Sequence, residues 1–228
     1  MPRKSRMFLP GVPCHVVSRG NNRDACFFAD DDYLFYLECL NEACHKYKAV
    51  VHAYVLMTNH VHLLMSPVDE AGVSKVLQSV GRRYVQYINK TYRRSGTLWE
   101  GRYKASLVDA ENYLLACYRY IELNPVRANM VTHPVEYRWS SYGVNAGVRP
   151  RRSLTPHDVY LRLGLDEEGR CHAYRELFSV DLDKSMIHDI QRAATFSMPL
   201  GNSRFQEQVE AALGRKLGQA KRGRPANA

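Results

Sequence analysis

Read for the spacing of apolar and polar positions, the chain divides into a short series of strands and helices. Residues 12–19 (VPCHVVSR) read as a strand, and the GNNRD that follows as a turn. From Asp30 to Tyr47 the apolar residues Leu34, Leu37, Leu40, Ala43 and Tyr47 recur at helical spacing, and the opening aspartates suit a helix N-terminus. Residues 49–57 (AVVHAYVLM) are β-branched and aromatic and predict a strand. Thr58-Asn59 then turns the chain into a second strand over 60–66, so that 49–66 is a hairpin. Ser74 is expected to cap a helix reaching about Tyr92, with Leu77, Val80, Tyr84 and Ile88 on its inner stripe. Residues 98–108 (LWEGRYKASLV) predict a further strand with a break at Gly101. A helix follows from Ala110 through NYLLACYRYIEL and is expected to finish near Asn124, because Pro125 disfavours helical geometry in the residue before it.

The first six elements, β-α-β-β-α-β, match the split βαβ, ferredoxin-like unit: an α+β fold with an antiparallel sheet and helices on one face. This unit takes up residues 1–147. After the basic VRPRRS (148–153) the pattern changes to short helices at 155–163, 167–178, 181–196 and 203–217. Residues 148–218 therefore read as a small helical C-terminal extension, and 219–228 as a basic, disordered tail. Within that tail Arg-Gly-Arg-Pro resembles the core of an AT-hook, although a solvated basic tail accounts for it as simply.

Charge narrows the picture. The 228 residues carry 32 Lys and Arg against 23 Asp and Glu, a net +9, which favours a polyanionic partner. Six cysteines (14, 26, 39, 44, 117 and 171) show no C-x-x-C pair, as expected for reduced thiols in a cytoplasmic protein. No stretch approaches the roughly 20 apolar residues of a membrane span, and MPRKSRMFLPG lacks the apolar core of a secretion signal.

Two segments carry candidate chemistry. In TNHVHLLMSP (58–67) His60, His62 and Leu64 share one face of a strand, while Val61, Leu63 and Met65 face the other way. The two imidazoles stand about 7 Å apart at their Cα atoms, close enough to reach one ion. Such a pair serves zinc enzymes and iron oxygenases as well, so it does not name a metal or a reaction. In CYRYIELNPVRA (117–128) Tyr120 and Asn124 share a helix face, with Cys117 and Tyr113 continuing the stripe. Tyr118 and Glu122 have the same spacing, and a carboxylate is the better ligand for a hard cation. Spacing does not separate the two pairs.

Taken in order, VLMTNHVHLL, LWEGRYKASLV and NYLLACYRYIELNPVRA resemble the single-tyrosine HUH transposases, and more closely the REP-associated tyrosine transposases, over about residues 6–145. The resemblance implies a transposase or endonuclease that cleaves and rejoins single-stranded DNA beside a hairpin through a 5′-phosphotyrosine. It implies Tyr120 as nucleophile, His60, His62 and Asn124 as ligands of Mg²⁺ or Mn²⁺, and Tyr118 as a packing residue. Strand transfer through a phosphotyrosine needs no ATP, and no G-x-x-x-x-G-K-[ST] occurs in the chain.

The DNA contacts expected are Arg82, Arg83, Lys90, Arg93 and Arg94 on the second helix, Arg102 and Lys104 on the strand after it, and Arg127. Trp99, Tyr103 and Tyr87 are candidates for stacking on unpaired bases. The partner expected is single-stranded DNA with a REP-like hairpin, the protein acting as a monomer or a homodimer. Two other readings stay open: a domesticated DNA-binding protein that cuts little, and a small-molecule hydrolase using the two histidines, which leaves the basic surface unexplained.

Overall fold

The computed structural model describes residues 6–150 and 153–217. Four strands, β1 (Cys14–Arg19), β2 (Ala49–Met57), β3 (His60–Pro67) and β4 (Lys104–Leu107), form one sheet in the order β2-β3-β1-β4. Every neighbouring pair is antiparallel. This is the expected ferredoxin-like α+β arrangement.

Helices α1 (Asp30–Tyr47) and α2 (Gly72–Thr91) pack against each other on one face. At the start of α1, Asp32 turns back and accepts hydrogen bonds from the amides of Phe28 and Ala29 just ahead of the helix, at 2.7 and 3.0 Å, which ties the incoming chain to the first turn. In α2, Val73, Val76, Leu77, Val80, Tyr84 and Ile88 are buried at the spacing the sequence predicts. Each such aliphatic side chain contributes about 1.5–3 kcal/mol of burial. The helix begins two residues before Ser74, which is not its cap. The Asp69 carboxylate accepts from the Ala71 amide, and the Ser74 hydroxyl meets the Tyr103 hydroxyl at 3.0 Å.

Two more expectations shift for local reasons. The strand expected over 98–108 pairs as strand only from Lys104, because Gly101, at φ +65°, turns the backbone away. Upstream of that turn the chain still clings to β1 through the Gly20–Trp99 bridge and the bond from the Glu100 amide to the Arg19 carbonyl. At the other boundary, α3 (Ala110–Glu122) is followed at once by a short helix, α4 (Asn124–Arg127). Pro125 falls in the first turn of α4, where a missing N–H costs nothing, so the chain keeps its helical direction for one more turn.

The face of the sheet opposite α1 and α2 is also covered. Helix α3 lies over β2 and β3, and α8 (Lys184–Phe196) over β4 and β1. The short helices α5 (Tyr142–Asn145), α6 (Asp158–Leu161), α7 (Glu167–Glu176) and α9 (Ser203–Leu213) complete the C-terminal part. Tyr160 of α6 and Tyr174 of α7 are fully buried against Tyr118 of α3, with ring centroids 6.1 and 6.0 Å away. Both sheet edges are closed by the chain itself: Leu56 and Tyr54 of β2 bond with Trp139 and Ser141, and Leu107 of β4 with Leu200.

Candidate active site

The strand register decides what faces α3. His62 of β3 pairs with Val17 of β1, and His60 with Arg19, so His15, Val17 and Arg19 share a face with His60 and His62. Three histidines thus form a row of graded depth: His60 is half-buried near the hairpin turn, His62 is buried, and His15 is 1% exposed. His15 Nε2 and His62 Nδ1 are 2.8 Å apart. Helix α3 sets Tyr120 over this row, its ring edge-on to both His15 and His62 at 5.9 Å between centroids.

The hydrogen bonds fix which nitrogens are free. The Asn59 amide nitrogen donates to the Arg23 carbonyl at 3.0 Å, which turns the Asn59 carbonyl oxygen toward His60 Nδ1 at 2.7 Å. That oxygen can only accept, so His60 carries its proton on Nδ1 and keeps a lone pair on Nε2. The ring is also kept neutral: burial pushes His60 down to about 4, Arg19 adds to the effect, and Asn124 opposes it. A carboxamide that favours the protonated ring presents its oxygen to it, where a cation would find the same oxygen. The Asn124 amide nitrogen is engaged with the Tyr120 and Ile121 carbonyls at 3.0 and 3.2 Å, consistent with that orientation.

Burial, then His15, His60 and the two arginines Arg127 and Arg19, hold His62 well below its ordinary range. Burial, with Arg127, brings His15 to about 4. The donor set is therefore two neutral imidazoles and a carboxamide oxygen, a combination suited to Mg²⁺ or Mn²⁺ with open positions for water or phosphate. Among the described residues no group of three or more His, Cys, Asp or Glu converges to hold a metal.

The rival pair points elsewhere. Glu122 is fully buried and accepts hydrogen bonds from Ser141, Asn145 and Tyr174, while Tyr118 is fully buried between Tyr160 and Tyr174. Both belong to the seam between α3 and the C-terminal helices. Burial raises the Glu122 carboxyl to about 7, against the three hydrogen bonds that lower it.

The expected DNA contacts divide into groups. Arg127 lies two helical turns beyond Tyr120 and folds back on it, its guanidinium 4.0 Å from the ring centroid and its Nη2 bonded to the Tyr120 carbonyl at 2.7 Å. Arg102, with Trp99 and Tyr103, lines a groove of about 590 Å³ whose other cations include Arg6, Arg19 and Lys75. Arg19 also acts on His60, so the groove and the histidine row adjoin. Lys104 is exposed on β4. Arg82, Arg83, Lys90, Arg93 and Arg94 belong to α2 and its end, on the other side of the sheet from the histidines. Arg83 is paired with Glu42 at 2.6 Å, and Tyr87 stacks on Phe35 within the α1–α2 contact. The basic 219–228 tail lies outside the described residues.

A model of the IS200-like transposase family matches residues 10–124, just over half of the chain and inclusive of both histidines, Tyr120 and Asn124. The chain belongs to the IS200-like transposases. As a transposase it is a DNA-binding, DNA-cleaving enzyme of transposition. Its fold is similar to that of a REP-associated tyrosine transposase solved bound to a REP hairpin, with a TM-score of 0.55 and 15% identity over 70% of this chain and 96% of that one. A Deinococcus radiodurans R1 protein described as a transposase shares 17% identity over 51% of this chain and 95% of that one, with a TM-score of 0.37. No curated protein matches the transposase. None of its described helices is long and apolar enough to cross a membrane.

Sequence reading did not single out His15 or Asn59. His15 lies in an unremarked VPCHVV, and only the register of β1 on β3 brings it beside His62.

Proposed function

We propose that this transposase cuts and rejoins single-stranded DNA beside a REP-like hairpin, with Tyr120 as the nucleophile. The observation that carries the reading is the edge-on approach of Tyr120 to His62 and His15 within one chain, beneath the Arg127 guanidinium. His60 Nε2, His62 Nε2 and Asn124 Oδ1 would hold Mg²⁺ or Mn²⁺. A divalent cation bound there supplies Lewis-acid stabilisation of charge developing on the scissile phosphate.

The remaining steps belong to the chain. The Tyr120 phenol oxygen attacks the phosphorus in line, the bond to the departing 3′ oxygen breaks, and the phenolic proton ends on that oxygen. The products are a 5′-phosphotyrosine and a free 3′-hydroxyl. Attack by another 3′-hydroxyl reverses the sequence and restores the phenol, so rejoining needs no external energy. Arg127 stands where it offsets negative charge on the tyrosine and the phosphate together. The unpaired strand runs along the groove holding Arg102, Lys75, Trp99 and Tyr103, which offers phosphate contacts and stacking surfaces side by side.

The catalytic unit is 1–147, and the extension 148–218 steadies α3 through the bond from Tyr174 to Glu122. The working form is a cytoplasmic monomer. Both sheet edges are occupied by the chain's own backbone, and nucleophile and ligands come from one copy, which supports that assignment.

The test mixes the protein with hairpin-bearing single-stranded DNA, in Mn²⁺ or in EDTA, on a denaturing gel. A Mn²⁺-dependent covalent band is expected in the wild type and in Tyr118→Phe, and none in Tyr120→Phe. A band that survives Tyr120→Phe removes the nucleophile assignment. Tight binding with no band in Mn²⁺ favours a DNA-binding protein that does not cut.

A further inference from the structure

We infer that His15 is a positioning residue that holds His62 in the tautomer able to ligate a cation, by accepting the His62 Nδ1 proton on its own Nε2. The inference rests on the reading of His60, His62 and Asn124 as metal ligands, and it assigns a role to a histidine outside that set.

The geometry is that of one shared proton. The two ring planes differ by only 17°, and the centroids stand 5.0 Å apart, the separation that a 2.8 Å nitrogen contact gives when two rings meet edge to edge in a common plane. Such a contact between neutral imidazoles contains a single hydrogen. If it belongs to His62, then His62 Nε2 has a free lone pair. If it belongs to His15, then His62 bears its proton on Nε2 and cannot bind a metal there. Binding a cation at His62 therefore selects the first arrangement, and His15 is built to accept it. It is 1% exposed, so no water competes for the acceptor nitrogen, and the Tyr120 ring is edge-on to it at 5.9 Å.

His15 is not a third ligand through the same nitrogen, because that lone pair is directed at His62 Nδ1. The pairing mirrors that of His60, whose Nδ1 proton is taken by Asn59. Each ligand histidine then has one neutral acceptor behind it, a common way to orient an imidazole toward a metal. Neutral acceptors also suit the substrate. A carboxylate in the place of His15 would set a buried negative charge behind a site that must receive phosphate.

Mn²⁺ affinity of the DNA-free protein, read from the free Mn²⁺ signal by electron paramagnetic resonance, separates the possibilities. His15→Phe fills the space but accepts no proton, and is expected to weaken Mn²⁺ binding by about 10- to 100-fold. His15→Gln, which keeps an acceptor oxygen, is expected to recover most of that loss at an unchanged melting temperature. Nitrogen-15 NMR of the wild type with Mg²⁺, which needs no variant, is expected to find the His62 proton on Nδ1. Wild-type Mn²⁺ affinity in His15→Phe, or a His62 proton on Nε2 in the Mg²⁺ form, overturns the inference. Mn²⁺ binding that persists in His62→Ala overturns the metal reading itself, and this inference with it.

Discussion

The guanidinium of Arg127 lies 4.0 Å from the centre of the Tyr120 ring and donates to the Tyr120 carbonyl, so the two residues form one unit across two helical turns. The short α4 after Pro125 makes this possible, because a chain leaving the helix at Asn124 would have carried Arg127 away. Burial lowers the basicity of Arg127, and Tyr120 partly restores it. A partly desolvated cation over an aromatic ring is worth about 2 kcal/mol. Arg127→Ala is accordingly expected to slow single-turnover adduct formation by roughly 30-fold, with a smaller loss of hairpin affinity. An unchanged rate with weakened binding would return Arg127 to the role of a plain phosphate contact.

Two sets of surface cations should differ in salt dependence. Arg102→Ala and Lys104→Ala are each expected to reduce the slope of log affinity against log salt by about 0.7, the value for one lost phosphate contact on a single strand. Arg83→Ala should leave the slope unchanged, since its charge already meets Glu42. Binding measured across a salt series distinguishes them, and equal slopes in all three variants would mean that the strand also contacts Arg83.

Glu122 contributes a pH dependence of its own sign. Its carboxyl is raised from the ordinary range to about 7 in the fold, chiefly by burial. Between about pH 4.5 and 7 the folded chain therefore holds a proton that the unfolded chain releases, and stability from this group falls as pH rises through that window. His15, His52 and His60, each lowered to about 4, act in the opposite direction from pH 4 to 6.5. The comparison with Glu122→Gln isolates the carboxyl. Relative to wild type, the variant is expected to gain stability from pH 4.5 to 7, by up to about 3 kcal/mol, in denaturant titrations at each pH. A difference that is flat with pH would mean that Glu122 titrates normally.

Gly20 follows β1 beside the turn that carries Asn59, and its amide bonds to the Asn59 carbonyl at 2.8 Å. A Cβ at this position would stand 2.1 Å from the Asp24 carbonyl oxygen, which is backbone and has nowhere to go. Gly20→Ala is expected to cost about 2 kcal/mol or more in thermal or chemical unfolding, and to weaken Mn²⁺ binding through the displaced Asn59. A variant as stable as wild type would show that the loop relaxes freely.

Hydropathic pattern determined the six elements of the split βαβ unit, with α1 and the β2–β3 turn at their observed positions, although β2 and β3 are buried on both faces and α1 turns Tyr33, Tyr36, Leu40 and Ala43 inward while Leu34 is exposed. The same alternation set His60 and His62 on a common strand face. What periodicity could not reach was any relation between segments distant in the chain. Spacing left Tyr118–Glu122 and Tyr120–Asn124 equal, and only the packing of α6 and α7 on one side of α3, against the histidine row on the other, separates them. Gly101 was legible as a break, yet how far β4 extends depended on its pairing with β1. His15 met His62 through strand register over 47 positions of chain. Burial and pairing, not residue type, turned three separate histidines into one site.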